Sequence, residues 1–224
     1  MDQPYLVLIA PRQSSPEAMI VIRGYISEDS FTTNIEEQWI KALRNAGWKG
    51  AIYHLWWEAS SDSLWNVARL HFRWEQVKSR AKNVGRLYLK QLISTIPESS
   101  VSLIGYSLGV RVIYYGLESW LESHKRLNNT IFLGGAVRRN KEWGSRAANL
   151  TGRMVNIYNL DDNVLKVLFK LGELYLKSPC GLKPIKDSHS KIINIDATSL
   201  IGTSDHSELE YLRVLRQTVG QQLW

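Results

Sequence analysis

Gly105, Tyr106, Ser107, Leu108 and Gly109 form a G-x-S-x-G run, the spacing at which a serine can be held on a sharp turn as a nucleophile. Three fixed positions are a weak signal alone, because glycine and serine are both common. The flanks strengthen it. Val101, Ser102, Leu103 and Ile104 read as a short apolar strand, and Val110, Ile113, Leu117 and Leu121 follow at helical spacing. Strand, turn and helix together would set the Ser107 hydroxyl above the carboxyl edge of a sheet. There it meets a helix N-terminus whose free amides can stabilise a developing oxyanion. Glycine at 105 and 109 would leave strand and helix room to cross closely.

A serine hydroxyl needs a base to take its proton, and the base needs an acid to fix its tautomer. Where a nucleophile elbow is used, the chain order is serine, acid, histidine. The run Met154 to Asn159 reads as a strand leading into Leu160, Asp161, Asp162 and Asn163. Two carboxylates therefore stand at one carboxyl edge: one can cap the helix that starts near Val164 while the other orients the histidine, and spacing leaves the choice open. Asp187, Asp196 and Asp205 are lesser candidates. Ser204, Asp205 and His206 follow the last expected strand, Lys191 to Ile195, which makes His206 the expected base. His189 precedes that strand, His54 falls inside another, and His71 and His124 precede the acid, so all four read as structural or surface residues. The Leu108 amide is the first expected oxyanion donor. The second should come from the loop Arg23, Gly24, Tyr25, Ile26, with Tyr25 chosen and Ile26 as the alternative.

These residues need a frame. Short runs rich in β-branched residues read as strands at Tyr5 to Ala10, Met19 to Gly24, Ala51 to Trp57, Val101 to Gly105, Thr130 to Gly134, Met154 to Asn159 and Lys191 to Ile195. Helical spacing appears between them at Ile35 to Ala46, Val77 to Ile96, Val110 to Leu121, Val164 to Leu176 and Glu208 to Leu223. Alternation of this kind predicts an α/β protein with a mostly parallel sheet and helices on both faces. With the elbow, that is the α/β-hydrolase fold. A length of 224 residues with 44% hydrophobic content suits a single domain over 1–224. The weakly organised stretch 60–75 reads as a connecting helix or, alternatively, as a lid or pocket-wall insertion.

Other chemistries find no support. There is no glycine-rich phosphate loop, dinucleotide fingerprint or metal-spaced cluster, so no cofactor and no metal are expected. The single cysteine, Cys180, cannot form an internal disulfide and fits a reducing compartment. No signal peptide and no run of about 18 apolar residues are evident, so a cytoplasmic protein is expected, at most peripheral to a membrane. The net charge of +7 favours anionic partners. Val77, Ala81, Val84, Tyr88 and Leu92 mark a core face, which leaves Lys78, Lys82, Arg86 and Lys90 as an expected exposed basic stripe. That stripe suits peripheral contact with an anionic membrane better than nucleic acid. Trp56, Trp57, Trp65 and Trp74 suit an apolar acyl site or simply core packing.

GYSLGVRVIYYGL, VNIYNLDDNVLKVLF, GLKPI and SDHSEL, in that order over roughly residues 100 to 210, resemble segments of α/β hydrolases typified by transmembrane and coiled-coil domain proteins. Position by position, the resemblance implies Ser107 as nucleophile, Asp162 rather than Asp161 as acid, and His206 as base. Two features depart from it: those relatives carry membrane-spanning segments, and Tyr106 and Arg23 stand where many hydrolases have histidine. The expected activity is cofactor-free hydrolysis of carboxylic esters through an acyl-enzyme, of the esterase or lipase kind on acyl lipids. The alternatives are an acyltransferase or thioesterase, or a non-catalytic binding or scaffold module on the same fold.

Overall fold

A computed structural model describes residues 3–24, 34–59, 67–122, 125–172, 178–220 and 223. In strand β2 (Glu17–Ile22) everything from Ala18 onward is buried, with Ala18, Ile20 and Ile22 in one apolar cluster and Met19 and Val21 in another. A strand buried on both faces belongs in the middle of a covered sheet. The other strands are β1 (Tyr5–Ala10), β3 (Ala51–Trp56), β4 (Ser100–Tyr106), β5 (Arg126–Leu133), β6 (Met154–Tyr158) and β7 (Ile192–Asp196). They form one seven-stranded sheet in the order β1-β3-β2-β4-β5-β6-β7. Only the edge strand β1 is antiparallel, to β3, and every other pairing is parallel.

Each face has its helices. On one side, α2 (Val67–Asn83), α4 (Leu108–Gly116), α5 (Trp143–Ala148) and α6 (Asn163–Gly172) contribute Val77, Ala81, Val112, Trp143 and Leu165 to the first cluster. On the other, α1 (Ile35–Asn45) and α8 (Glu208–Leu215) contribute Trp39, Leu43, Tyr211 and Leu215 to the second. Two short helices, α3 (Lys90–Ser94) and α7 (Thr198–Ile201), complete the set among the described residues. The expected α/β-hydrolase architecture is present. Because the strands from β2 onward run the same way, the segments after β2, β4, β6 and β7 emerge at one edge. Those segments carry Gly24, Ser107, Asp162 and His206 in turn.

The helices depart from expectation in instructive ways. The helix expected from Val77 begins at Val67, so 67–75 is helical, while 60–66 lies outside the described residues. It runs through a π-helical turn at Val84–Leu89 into α3. A second π-helical turn, Arg216–Gly220, follows α8. The helices α5 and α7 were not expected: at six and four residues they are too short for apolar periodicity to show.

The expected exposed basic stripe is present only in part: Arg86 is exposed and Lys82 and Lys90 are half-buried, but Lys78 is buried. Lys78 is only 4% exposed and pairs with Glu75 at 2.7 Å. Its position is next to the core row of Val77 and Ala81, and its ammonium group lies over the Trp74 ring at 5.9 Å while pairing with an acid on its own helix. Lys82 and Arg86 turn onto the ring of Tyr115 on α4, and Arg86 pairs with Glu118. Of the tryptophans, Trp57 and Trp74 are buried and Trp56 stacks on Tyr5, while Trp65 lies outside the described residues. No described helix is long and apolar enough to cross a membrane.

Candidate active site

Ser107 has φ 54° and ψ −116°, and among the described residues no other non-glycine residue has a positive φ. Such a conformation costs on the order of 1–3 kcal/mol and persists only where the surroundings enforce it. They do so through the backbone. The Ser107 N–H donates to the Leu133 carbonyl at 2.9 Å, and its own carbonyl accepts from Val110 at 3.2 Å and Ala136 at 3.0 Å. The helix behind the serine lies so close to β2 that a Cβ on Gly109 would stand 1.9 Å from the Ile22 carbonyl oxygen. Gly24 lies over Ser107 itself: a Cβ there would be 2.6 Å from Ser107 Cβ and 3.0 Å from the Leu108 nitrogen. The serine and the first amide of α4 are thus left uncovered by the only residue type that can lie there. Leu108 opens α4, so its N–H has no acceptor within the helix.

His206 Nδ1 lies 2.5 Å from Asp162 Oδ2. Asp162 is fully buried, and its other oxygen, Oδ1, accepts the Leu165 N–H at 2.8 Å. One carboxylate therefore orients the histidine and caps α6 as well, two tasks the sequence had shared between neighbours. Asp161 faces outward, with its side chain 69% exposed and Lys166 4.0 Å away. A proton on Nδ1 directed at Asp162 leaves Nε2 as the basic nitrogen. That nitrogen is buried and has no hydrogen-bond partner among the described residues.

Tyr106 holds the imidazole from below. Its ring stacks on His206 with centroids 5.0 Å apart, and its hydroxyl donates to the His206 carbonyl at 2.7 Å. Burial pushes the Tyr106 phenol far above its ordinary range, so it stays a neutral donor. Since Tyr106 is the residue before Ser107, the base is fixed against the nucleophile's own neighbour. Gly134 adds a second link: it follows the carbonyl that receives the Ser107 N–H, and a Cβ on it would meet His206 Cε1 at 3.0 Å.

A buried ion pair joins the segment after β2 to the start of α8. Arg23 Nε and Nη2 both donate to the Glu208 carboxylate, at 2.8 and 2.7 Å, and Trp39 Nε1 adds a third bond to it at 2.9 Å. The Arg23 carbonyl accepts from Trp57 Nε1 at 3.0 Å. Arg23 immediately precedes Gly24, and Glu208 is two residues past His206. The acid and base segments are tied as well, with Asn159 Nδ2 donating to the Thr203 carbonyl and the Asn163 N–H to the Ser204 carbonyl.

The structure thus brings Asp162 and His206 into contact and links His206 to the Ser107 elbow through Tyr106 and Gly134, without a hydrogen bond between His206 Nε2 and Ser107. Tyr25 and Ile26, the expected second oxyanion donors, lie outside the described residues, as does His124. His54 is buried against Glu36 at 2.8 Å, and burial holds its pKa below the ordinary value. His189 stands before β7 and accepts the Lys191 N–H. Asp187 receives the Gly144 N–H and Asp196 the Thr198 hydroxyl. Cys180 is enclosed near the elbow, and burial pushes its thiol up to about 12, which keeps it from being a competing nucleophile. Sequence reasoning had not seen the roles of Gly24, Tyr106 and Glu208, since each depends on a contact made only in the fold.

Two cavities lie elsewhere on the described surface, and neither is lined by Ser107, Asp162 or His206. One of about 680 Å³ lies on the β6 and β7 side, lined by Asp161, Asn163, Lys166, Asp196, Thr198 and Ser204. The other, about 350 Å³, lies on the β3 side and includes Pro4, Trp57, Val84 and Tyr88. Leu160, Val164, Val167 and Leu209 stand exposed around the acid and base segments.

Residues 55–220 match the model of a family described as a protein of unknown function, DUF726. The chain belongs to the DUF726 family. Over 125 residues it is 36% identical to an uncharacterized membrane protein, C6F6.13c, of Schizosaccharomyces pombe, covering 54% of this chain and 16% of that protein. It is 31% identical over 105 residues to a transmembrane and coiled-coil domain-containing protein, STS1, of Oryza sativa, covering 45% and 15%. An uncharacterized membrane protein of Caenorhabditis elegans, F35D11.3, is 31% identical over 128 residues, covering 54% and 21%. The DUF726 chain thus spans about 15–21% of the length of these curated relatives. Among solved structures it is similar to mouse alpha/beta hydrolase domain-containing protein 10, at TM-score 0.48 and 10% identity over 97% of this chain and 92% of that one. A dienelactone hydrolase from Anabaena variabilis gives TM-score 0.47 and 11% identity over 98% and 96%.

Proposed function

We propose that this DUF726 chain is a serine hydrolase that cleaves carboxylic esters through an acyl-enzyme. The observation that carries the reading is the buried Asp162–His206 pair, its Nε2 unpartnered, linked through Tyr106 to a serine held at positive φ on a helix N-terminus. Ser107 Oγ attacks the ester carbonyl while His206 Nε2 takes its proton, and Asp162 stabilises the imidazolium that forms. The tetrahedral oxyanion is met by the Leu108 N–H and a second amide from the segment after Gly24, for which Tyr25 is the candidate. Collapse expels the alcohol, which takes the proton from His206. Water then repeats the sequence on the acyl-enzyme, releases the acid and restores the serine.

The apolar side chains Leu160, Val164, Val167 and Leu209 around the acid and base segments favour substrates with an acyl chain, hence an esterase or lipase type of specificity. The test is labelling of purified protein by a serine-directed fluorophosphonate, followed by turnover on esters and thioesters of graded chain length. Wild type is expected to label at Ser107 and Ser107→Ala to stay unlabelled while folded. Equal labelling of the two proteins would refute the assignment, and faster turnover of thioesters than of esters would move it to a thioesterase.

A further inference from the structure

Five cationic side chains from different parts of the chain converge on two adjacent tyrosines of α4, on the flank away from the triad. Around the Tyr115 ring centroid stand Lys82 Nζ at 5.5 Å, the Arg86 and Arg111 guanidinium carbons at 5.1 Å each, and Lys141 Nζ at 5.0 Å. Lys141 Nζ and the Arg146 guanidinium carbon lie 5.1 and 5.0 Å from the Tyr114 centroid. Lys141 also donates to the Tyr115 hydroxyl at 3.0 Å. Among the described residues two acids lie within the cluster: Glu118, which accepts from Arg86 and Arg146, and Glu142, which accepts from Arg146.

With Arg86 and Arg146 matched by these acids, Lys82 and Lys141 leave an excess of two positive charges among the described residues. An aromatic ring attracts a cation to its face, but each further cation is repelled by those already there, so covering two rings does not require five. Among the described residues Lys82 and Lys141 have no carboxylate partner, and the Arg146 Nε–H is buried with no acceptor. The neighbouring Lys78–Glu75 pair shows the contrasting case of a cation neutralised on its own helix.

We propose that this cluster is a binding site for a phosphate group, distinct from the Ser107 site. Phosphate presents several acceptor oxygens and up to two negative charges, and guanidinium forks with ammonium donors are the groups that match it. The Tyr115 hydroxyl supplies a further polar contact at its centre. The local field is already visible on that phenol. Burial acts to raise its pKa, but the Lys141 hydrogen bond and the charges of Arg111, Lys141 and Lys82 outweigh burial and hold it below the ordinary tyrosine range. The cations come from α2, the π-helical turn, α4, α5 and the segment before α5, so a bound phosphate would bridge five pieces of the fold. Arg111 and Tyr115 sit on the same helix as the nucleophile.

The test uses pyrophosphate as probe in titration calorimetry, at ionic strength held constant with chloride. Wild type is expected to bind, and the double variant Lys82→Gln/Lys141→Gln to bind at least tenfold more weakly. Lys183→Gln, which removes an exposed charge elsewhere, should bind as wild type does. Fluorophosphonate labelling and thermal melting of each variant report that the fold is intact. As a second readout, the 295 nm absorbance titration of Tyr115, isolated by subtracting Tyr115→Phe, should move to higher pH when pyrophosphate is present, because the bound anion cancels the field. Co-sedimentation with phosphatidylcholine vesicles, with and without phosphatidylinositol 4-phosphate, separates the sources. Capture only by the phosphoinositide vesicles assigns a lipid headgroup, and binding of pyrophosphate without vesicle capture assigns a soluble phosphate. No pyrophosphate binding, or equal binding by wild type and the double variant, would overturn the proposal.

Discussion

Asp162 performs two tasks that one substitution can separate. Replacing it with Asn keeps an oxygen able to accept the Leu165 N–H, which Asp162 Oδ1 receives at 2.8 Å, and Asn is as good a helix cap as Asp. The other branch becomes an amide, which donates to His206 Nδ1 where a carboxylate would accept from it. The imidazole proton then moves to Nε2, and the nitrogen that should remove the serine proton already carries one. In hydrolases with this constellation the wrong tautomer lowers turnover by about 10⁴, or roughly 5 kcal/mol of transition-state stabilisation. Asp162→Asn should therefore label with fluorophosphonate about four orders of magnitude more slowly than wild type, yet melt close to it. Asp162→Ala loses the cap, about 1 kcal/mol. It also leaves the imidazole without its partner, about 1–3 kcal/mol more, so it should be slow and unstable together. Asp161→Asn, at a side chain 69% exposed, should change neither quantity much. The assay is the second-order labelling rate beside a thermal melt for all four proteins, and it requires no knowledge of the natural substrate. Labelling of Asp162→Asn within tenfold of wild type, or an equal loss in Asp161→Asn, would refute the tautomer argument.

Gly109→Ala should lose at least the upper part of the about 1–3 kcal/mol typical of overpacking, because its Cβ would stand 1.9 Å from a β2 carbonyl oxygen; urea denaturation measures it. Arg23→Met leaves the Glu208 carboxylate buried without its cation and should cost about 3–5 kcal/mol. The double variant Arg23→Met/Glu208→Gln should recover most of that in the same denaturation series. His54, whose pKa burial holds below the unfolded value of about 6.5, is neutral in the fold. Its contribution is complete above about pH 6.5 and is lost as pH falls through the lower folded value, so between pH 7.5 and 5 wild type should lose more melting temperature than His54→Gln.

How far the sequence could be read depended on the range of the physics involved. The central strands were legible because each is a short apolar run whose burial on both faces leaves no polar alternation to confuse it, as in β2 and β4. Ser107 was legible because strand, elbow and helix are contiguous. The pairing of His206 with a carboxylate after β6 was legible because chain order in this fold places the expected histidine in the last loop. Asp161 and Asp162 were not separable by spacing, since adjacent residues at a helix start can each cap or point away. Only the packed fold shows that Asp162 does both tasks. Tyr106 meets His206 across 100 residues and Arg23 meets Glu208 across 185, and no local pattern encodes such a pair. The basic stripe misled for a related reason. Helical spacing assigns Lys82 and Arg86 to the side away from Val77 and Ala81, but the neighbouring helix α4 brings Tyr115 to that side and turns these two charges onto it.

The ties around Ser107 explain how a strained serine survives in a fold of ordinary stability. A residue at φ 54° would relax if any one neighbouring segment could shift, so the strain is held only to the degree that those segments are fixed to one another. Here the backbone of the elbow is bonded to the ends of β5, the base is stacked and bonded to Tyr106, the acid is buried as a helix cap, and the segment after β2 is joined to α8 by a buried ion pair. These ties link the ends of β2, β4, β6 and β7 across the same sheet edge. Each uses a polar group whose burial would be costly if its partner moved away, so loosening one leaves an unmatched donor or charge. The geometry at Ser107 is therefore maintained cooperatively. Substitutions at Arg23 or Glu208, neither of which touches the serine, should lower its labelling rate along with the stability of the fold.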